Sequence, residues 1–156
     1  MSAVIDFYKE HKLQDDPLHK ALDAAPNLHA QFPSLRQQML SCCGAQAGKG
    51  GKVELVVIDN TRWDELAGEI TSITGKLERL DRAVGELDKL FAEAKEAGFD
   101  IFRKTPAGIR AAEVQWRAQH RAPPADPSNP LSRDTGIPNP ELVAFAERAE
   151  AIMAGL

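Results

Sequence analysis

Ten apolar residues, Trp63, Leu66, Ile70, Ile73, Leu77, Leu80, Val84, Leu87, Phe91 and Ala94, recur at alternating steps of three and four. That spacing aligns side chains along one stripe of an α-helix and is incompatible with the two-residue period of a strand. It predicts one long helix over about residues 60–97. Asn60 or Thr61 is available to cap its start, and Gly98 followed by Phe99 fits a C-terminal stop. Gly68, Gly75 and Gly85 fall off the stripe, so they weaken the helix without interrupting its packing face. Such a helix is about 50 Å long. A compact domain of this size has a radius of gyration of ~15 Å. The seam therefore needs cover along its length, from several short helices of the same chain or from another chain.

The rest of the chain offers mostly short helices. Val4, Ile5, Tyr8 and Leu13 suggest a first one, and Asp16-Pro17 reads as the cap and first residue of a second, ending before Pro26. Ser34-x-x-Gln37 has the pattern of a capping box, with Phe32 before it as a staple. It predicts a third helix to Cys43, with Leu35, Met39 and Cys42 on one face. Residues 44–52 hold four glycines in nine positions and read as a flexible connection. The run 53–58, Val-Glu-Leu-Val-Val-Ile, is the one β-branched stretch and reads as a short strand, which requires a pairing partner for its backbone. Thr105-Pro106 and Asn139-Pro140 each read as cap plus first residue of a helix, the second bearing Leu142, Phe145, Ala149, Ile152 and Met153 on its apolar face. Between them, residues 122–140 contain six prolines and no periodicity, the composition of an extended linker.

The expected class is therefore mainly α: a helical bundle or hairpin organised on one long amphipathic helix, with at most one short strand. Its parts are short N-terminal helices (1–43), a glycine-rich connection (44–52), the strand with the long and basic helices (53–121), a proline-rich linker (122–140) and a C-terminal amphipathic helix (141–156). Composition agrees. Aromatic residues make up 6% of the chain, too few for a typical sandwich core, while 43% hydrophobic residues suffice for a folded one. No stretch reaches the ~18 apolar residues of a membrane span. The N-terminus lacks a basic segment followed by an apolar one, so no secretory leader is expected. Adjacent Cys42 and Cys43 provide no disulfide framework, which points to a reducing compartment and a cytoplasmic location.

Sites of chemistry are scarce. The region 59–97 holds ten acids against six bases, and the chain carries a net charge of −4, a poor footprint for duplex nucleic acid. One basic stretch stands against this. Arg103, Arg110, Arg117 and Arg121 recur near helical spacing and form a candidate anion-binding row. Exposed charge rows are more commonly solvated faces, the preferred reading here. Cys42 and Cys43 lack further ligands at metal spacing and read as small apolar residues at a helix end. His11, His19, His29 and His120 are scattered, with no paired-ligand motif. The glycine loop resembles a phosphate loop only loosely, since Gly50 stands where a Mg²⁺-binding hydroxyl belongs and no strand precedes it. No catalytic residue, cofactor or metal is assigned.

The preferred function is a non-enzymatic protein–protein interaction module, an adaptor, assembly factor, chaperone or inhibitor. It would act through the seam from Trp63 to Phe91 on another protein or on a second copy of itself. A small nucleic-acid-associated protein using the arginine row, and an enzyme whose site is assembled only in three dimensions, are the alternatives.

Overall fold

A computed structural model describes residues 2–120, 128 and 137–156. The described residues are mainly helical: α1 (Ala3–His11), α2 (Pro17–Ser41), α3 (Asn60–Glu96), α4 (Pro106–Gln119) and α5 (Pro140–Ala154), with two strands, β1 (Cys43–Ala47) and β2 (Val53–Val57), between α2 and α3. The chain divides into two compact units, residues 20–81 and residues 1–19 with 82–156. The proline-rich segment expected over 122–140, apart from Ser128 and residues 137–140, lies outside the described residues, as does Arg121.

In the unit of residues 20–81, the expected second and third helices are one. α2 runs without interruption from Pro17 to Ser41, with Pro26 and Pro33 inside it. A proline lacks the N–H that would bond the carbonyl four residues earlier, here those of Leu22 and His29. Both prolines are exposed and lie seven residues apart, on the same side of the helix. The opposite side holds the reason the helix continues. Ala21, Ala25, Leu28, Phe32, Leu35, Met39 and Cys42 repeat at steps of four and three straight through both prolines. The core of this unit is Leu35, Cys42, Leu66 and Ile73, with Leu28, Phe32, Met39, Trp63, Ile70 and Leu77 packed around it. Two heptad stripes, one on α2 and one on α3, thus shield each other. Ser34 and Gln37 are mid-helix, not a capping box, and the Ser34 hydroxyl accepts instead from Gln38 Nε2 at 3.2 Å.

The sheet corrects the expectation of at most one strand. β1 pairs antiparallel with β2 in an unbroken register, Cys43 opposite Val57, Ala45 opposite Leu55 and Ala47 opposite Val53. The glycine-rich connection is thus half strand and half turn. Gly50 and Gly51 take φ of 75° and 77°, a left-handed conformation that lets the chain reverse between the strands and that L side chains resist. Cys-Gly-Ala-Gln-Ala has little intrinsic strand preference. It is extended because β2 offers it a ladder, an instance of context overriding propensity.

In the other unit, α1, the last turns of α3, α4 and α5 bury Val4, Tyr8, Leu18, Leu87, Leu90, Ile109 and Leu142. α1 ends at His11, where Lys12 takes φ 44°, short of Leu13. α3 begins on a different cap from either one expected: Asp59 Oδ1 accepts the N–H of Arg62 at 3.0 Å. It ends as expected, on a Schellman turn in which Phe99 N–H bonds the Ala94 carbonyl and Gly98 N–H that of Lys95. Thr105 and Asn139 cap α4 and α5 through their side chains. Gly108 sits against the Arg103 carbonyl so closely that a Cβ there would lie 2.1 Å from it, which ties the loop before α4 to its first turn.

Candidate interaction surface

The seam residues are covered by their own chain. Leu66, Ile73, Leu80, Val84, Leu87, Phe91 and Ala94 are buried, and Trp63, Ile70 and Leu77 are half-buried. The stripe changes width along the helix. Up to Leu80 it is the narrow three–four seam that faces α2. Beyond it, Ala83 and Leu90 are buried as well, giving the broader apolar face of a helix inside a bundle. Of the two covers the seam's length allows, helices of the same chain or another chain, its first portion has the former, a matching stripe on the single long helix α2.

The arginine row is largely occupied. Arg110 forms a two-pronged bond to Glu150, Nε to Oε1 at 2.8 Å and Nη2 to Oε2 at 3.1 Å. The pair holds the Glu150 carboxyl below its ordinary range, chiefly through the hydrogen bond from Arg110. Arg117 Nε stands 3.0 Å from Glu113 Oε2, and Glu113 is buried, with its other oxygen accepting the N–H of Asn139 at 3.3 Å. These arginines join α4 to α5 and to their own helix, leaving Arg103 exposed at the loop. Among the described residues of the row, Arg110 and Arg117 thus each face a carboxylate.

The remaining candidates are placed in quiet settings. His11 stacks on Phe7 at 4.0 Å and His120 on Trp116 at 3.9 Å between ring centroids. Cys42 is buried and Cys43 half-buried, both as free thiols. Among the described residues no cluster of His, Cys, Asp or Glu is arranged to hold a metal ion. An open cleft of about 550 Å³ lies between the α1–α2 loop and the start of α4, lined by Lys12, Asp15, Asp16 and Arg103 among others. Its two cations are matched by two carboxylates. Beside it, the buried Tyr8 hydroxyl has no hydrogen-bond partner of regular geometry, and burial, followed by the nearby Asp16 carboxylate, pushes its phenol far above the ordinary range.

Several large apolar side chains are exposed, among them Leu40, Phe102 and Val114, and the hairpin gathers two of the most exposed on one strand. Val53 and Leu55 are 77% and 71% accessible. Pairing places Cys43, Ala45, Ala47, Val53, Leu55 and Val57 on one face, so that face is wholly apolar. Backbone geometry sharpens this. Gly48 N–H bonds the Lys52 carbonyl at 2.7 Å, and Ile58 N–H bonds that of Cys42 at 2.8 Å. In an antiparallel ladder, bonded and non-bonded pairs alternate. The N–H and C=O groups of Val53, Leu55 and Val57 therefore point away from β1, toward an open edge. Natural edge strands are commonly guarded by a charge, a proline or a bulge. β2 has no proline, and its register with β1 contains no bulge. Its one charge, Glu54, leans back over Gly48, where its side chain would meet a Cβ at 2.8 Å. β2 carries a β-branched signal of its own in the sequence, and β1 does not. The signal for the partner was the Gly50-Gly51 pair, a turn element flanked by Ala47 and Val53.

No helix among the described residues is long and apolar enough to cross a membrane. No protein-family model matches the chain, and neither a curated protein nor a solved structure does so.

Proposed function

We propose that this chain is a non-enzymatic protein–protein interaction module whose contact surface is the β-hairpin of residues 43–57 rather than the helical seam. One observation carries the reading: an unguarded strand edge and an apolar sheet face are exposed together at Val53 and Leu55. An isolated two-stranded hairpin is marginal in water and gains from a further strand or a packed face. Strand addition gives affinity through the main chain and specificity through alternate side chains. The free thiols of Cys42 and Cys43 suit a reducing compartment such as the cytoplasm. Lys49 and Lys52 flank the turn and serve as chemical handles. In a native cell extract, lysine cross-linking followed by mass spectrometry should join one of them to a defined polypeptide. The links should vanish in a Leu55→Glu variant of unchanged helix content. Links that persist in that variant, or that form only away from the hairpin, would refute the proposal.

A further inference from the structure

We infer that the occupant of the β2 edge is a second copy of this chain, paired β2 to β2 antiparallel about a two-fold axis at Leu55. The inference rests on the hairpin being a contact surface and adds the identity of the partner. It follows from the strand's own sequence. The groups that point outward belong to Val53, Leu55 and Val57. When two copies are set antiparallel with Leu55 opposite Leu55, Val53 of each faces Val57 of the other. All three outward residues of one strand then exchange their backbone bonds with all three of its mate. The pairing is isologous and closes on itself, as two-fold contacts do.

The neighbouring registers are worse. A slip of one step in one direction sets Glu54 directly opposite Glu54, a like-charge pair that destabilises a sheet, and puts Val57 opposite Gly51 in the turn. A slip in the other direction sets Val53 against Asp59, beyond the end of the strand. In the register centred on Leu55, Glu54 faces Val56, and its side chain already leans toward its own β1 side at Gly48. The product is a four-stranded sheet in the order β1–β2–β2–β1. One whole face of it consists of Cys, Ala, Val and Leu side chains, with the β-branched residues at the centre. β1 is the poorer edge for the same purpose, because its outward residues are Cys43, Ala45 and Ala47, which have little to pack.

A contact made by one short strand falls well below the about 800 Å² per partner of a stable complex. The dimer is therefore weak, with a dissociation constant above about 1 μM, and depends on concentration.

The test uses the full chain. Sedimentation across a concentration series should show reversible dimerisation. Leu55→Lys and Leu55→Glu should each weaken it by about tenfold or more, because each sets its new charge against itself across the axis. An equimolar mixture of the two variants should recover the dimer as a mixed species. Amide exchange on the unaltered chain provides a second reading that needs no variant: the N–H groups of Val53, Leu55 and Val57 should gain protection as concentration rises. A chain that stays monomeric at millimolar concentration, with those amides exchanging at a constant rate, overturns the second-copy assignment. The cross-links to another polypeptide described above would remain possible in that case. A dimer indifferent to both variants, or one not restored by mixing them, overturns it too.

Discussion

The carboxylate of Asp88, on α3, closes the first turn of α1 by accepting the backbone N–H of Val4 at 3.2 Å. The Ser2 hydroxyl donates to its other oxygen while accepting from Ile5 N–H at 3.4 Å. A helix start leaves unbonded N–H groups, and here a side chain far away in sequence satisfies one of them. Asp88→Ala should therefore destabilise the chain by about 1–2 kcal/mol, the usual range for a lost cap. Asp88→Asn, which keeps an acceptor, should cost less. Urea denaturation followed by helix signal compares the two.

Two glycine substitutions should act in opposite directions. Gly75 lies in the interior of α3 with nothing near the place its Cβ would occupy, so Gly75→Ala should stabilise by about 0.5–1 kcal/mol. Gly108→Ala would drive a methyl group into the Arg103 carbonyl and side chain. The loop before α4 would have to move, and a loss of about 2 kcal/mol or more is expected. Thermal melts of the two variants should shift to opposite sides of the parent.

Tyr8 gives the chain an alkaline weakness. It is fully buried, and its phenol is held well above the ordinary value by burial and by Asp16. The folded state thus binds this proton more tightly than the unfolded chain. That stability is present in full below the unfolded pKa of about 10 and is lost as pH rises above it. Tyr8 is the one tyrosine in the sequence, so tyrosinate absorbance reports the event directly. Ionisation should coincide with unfolding instead of preceding it. Tyr8→Phe should shift the alkaline transition upward at little cost near neutrality, since the hydroxyl lacks a well-formed hydrogen bond to lose.

Pro26 and Pro33 interrupt the ladder of α2 on its exposed side. Replacing either with Ala restores an N–H toward the carbonyl of Leu22 or His29 without touching the buried stripe. Each change should stabilise the chain by about 1–3 kcal/mol, less whatever the freer unfolded chain regains. Chemical denaturation of the single variants measures this. A loss of stability would show that the prolines hold a bend the packing needs.

Local signals proved readable where a few adjacent residues decide the outcome. The caps at Thr105 and Asn139 and the stop at Gly98 are chemistry of one turn, and the seam of α3 is a matter of spacing alone. The misreadings came where tertiary context outweighs local preference. Pro26 and Pro33 suggest helix ends, yet the stripe from Ala21 to Cys42 runs through them because both rings face solvent. That stripe is present in the sequence at the same spacing as its mate, masked by Pro26 as a helix end and by the cap-like Ser34-x-x-Gln37 as a new start. β1 has no strand character of its own and could be found only by asking what pairs with Val53–Val57. The hairpin's standing as a surface was not legible at all, since exposure is a property of everything that fails to cover it. Arg110 and Arg117 likewise looked available until Glu150 and the buried Glu113 were placed beside them.

The carbonyl of Cys42 accepts both Ile58 N–H at 2.8 Å and Asp59 N–H at 3.1 Å. The chain leaves the end of α2 and returns to the start of α3 at a single atom. Everything between is a loop of chain whose two ends are already stapled together. Its turn, Lys49–Gly51, lies outside that staple, so a change of length or residue there leaves intact both bonds that join the end of α2 to the start of α3.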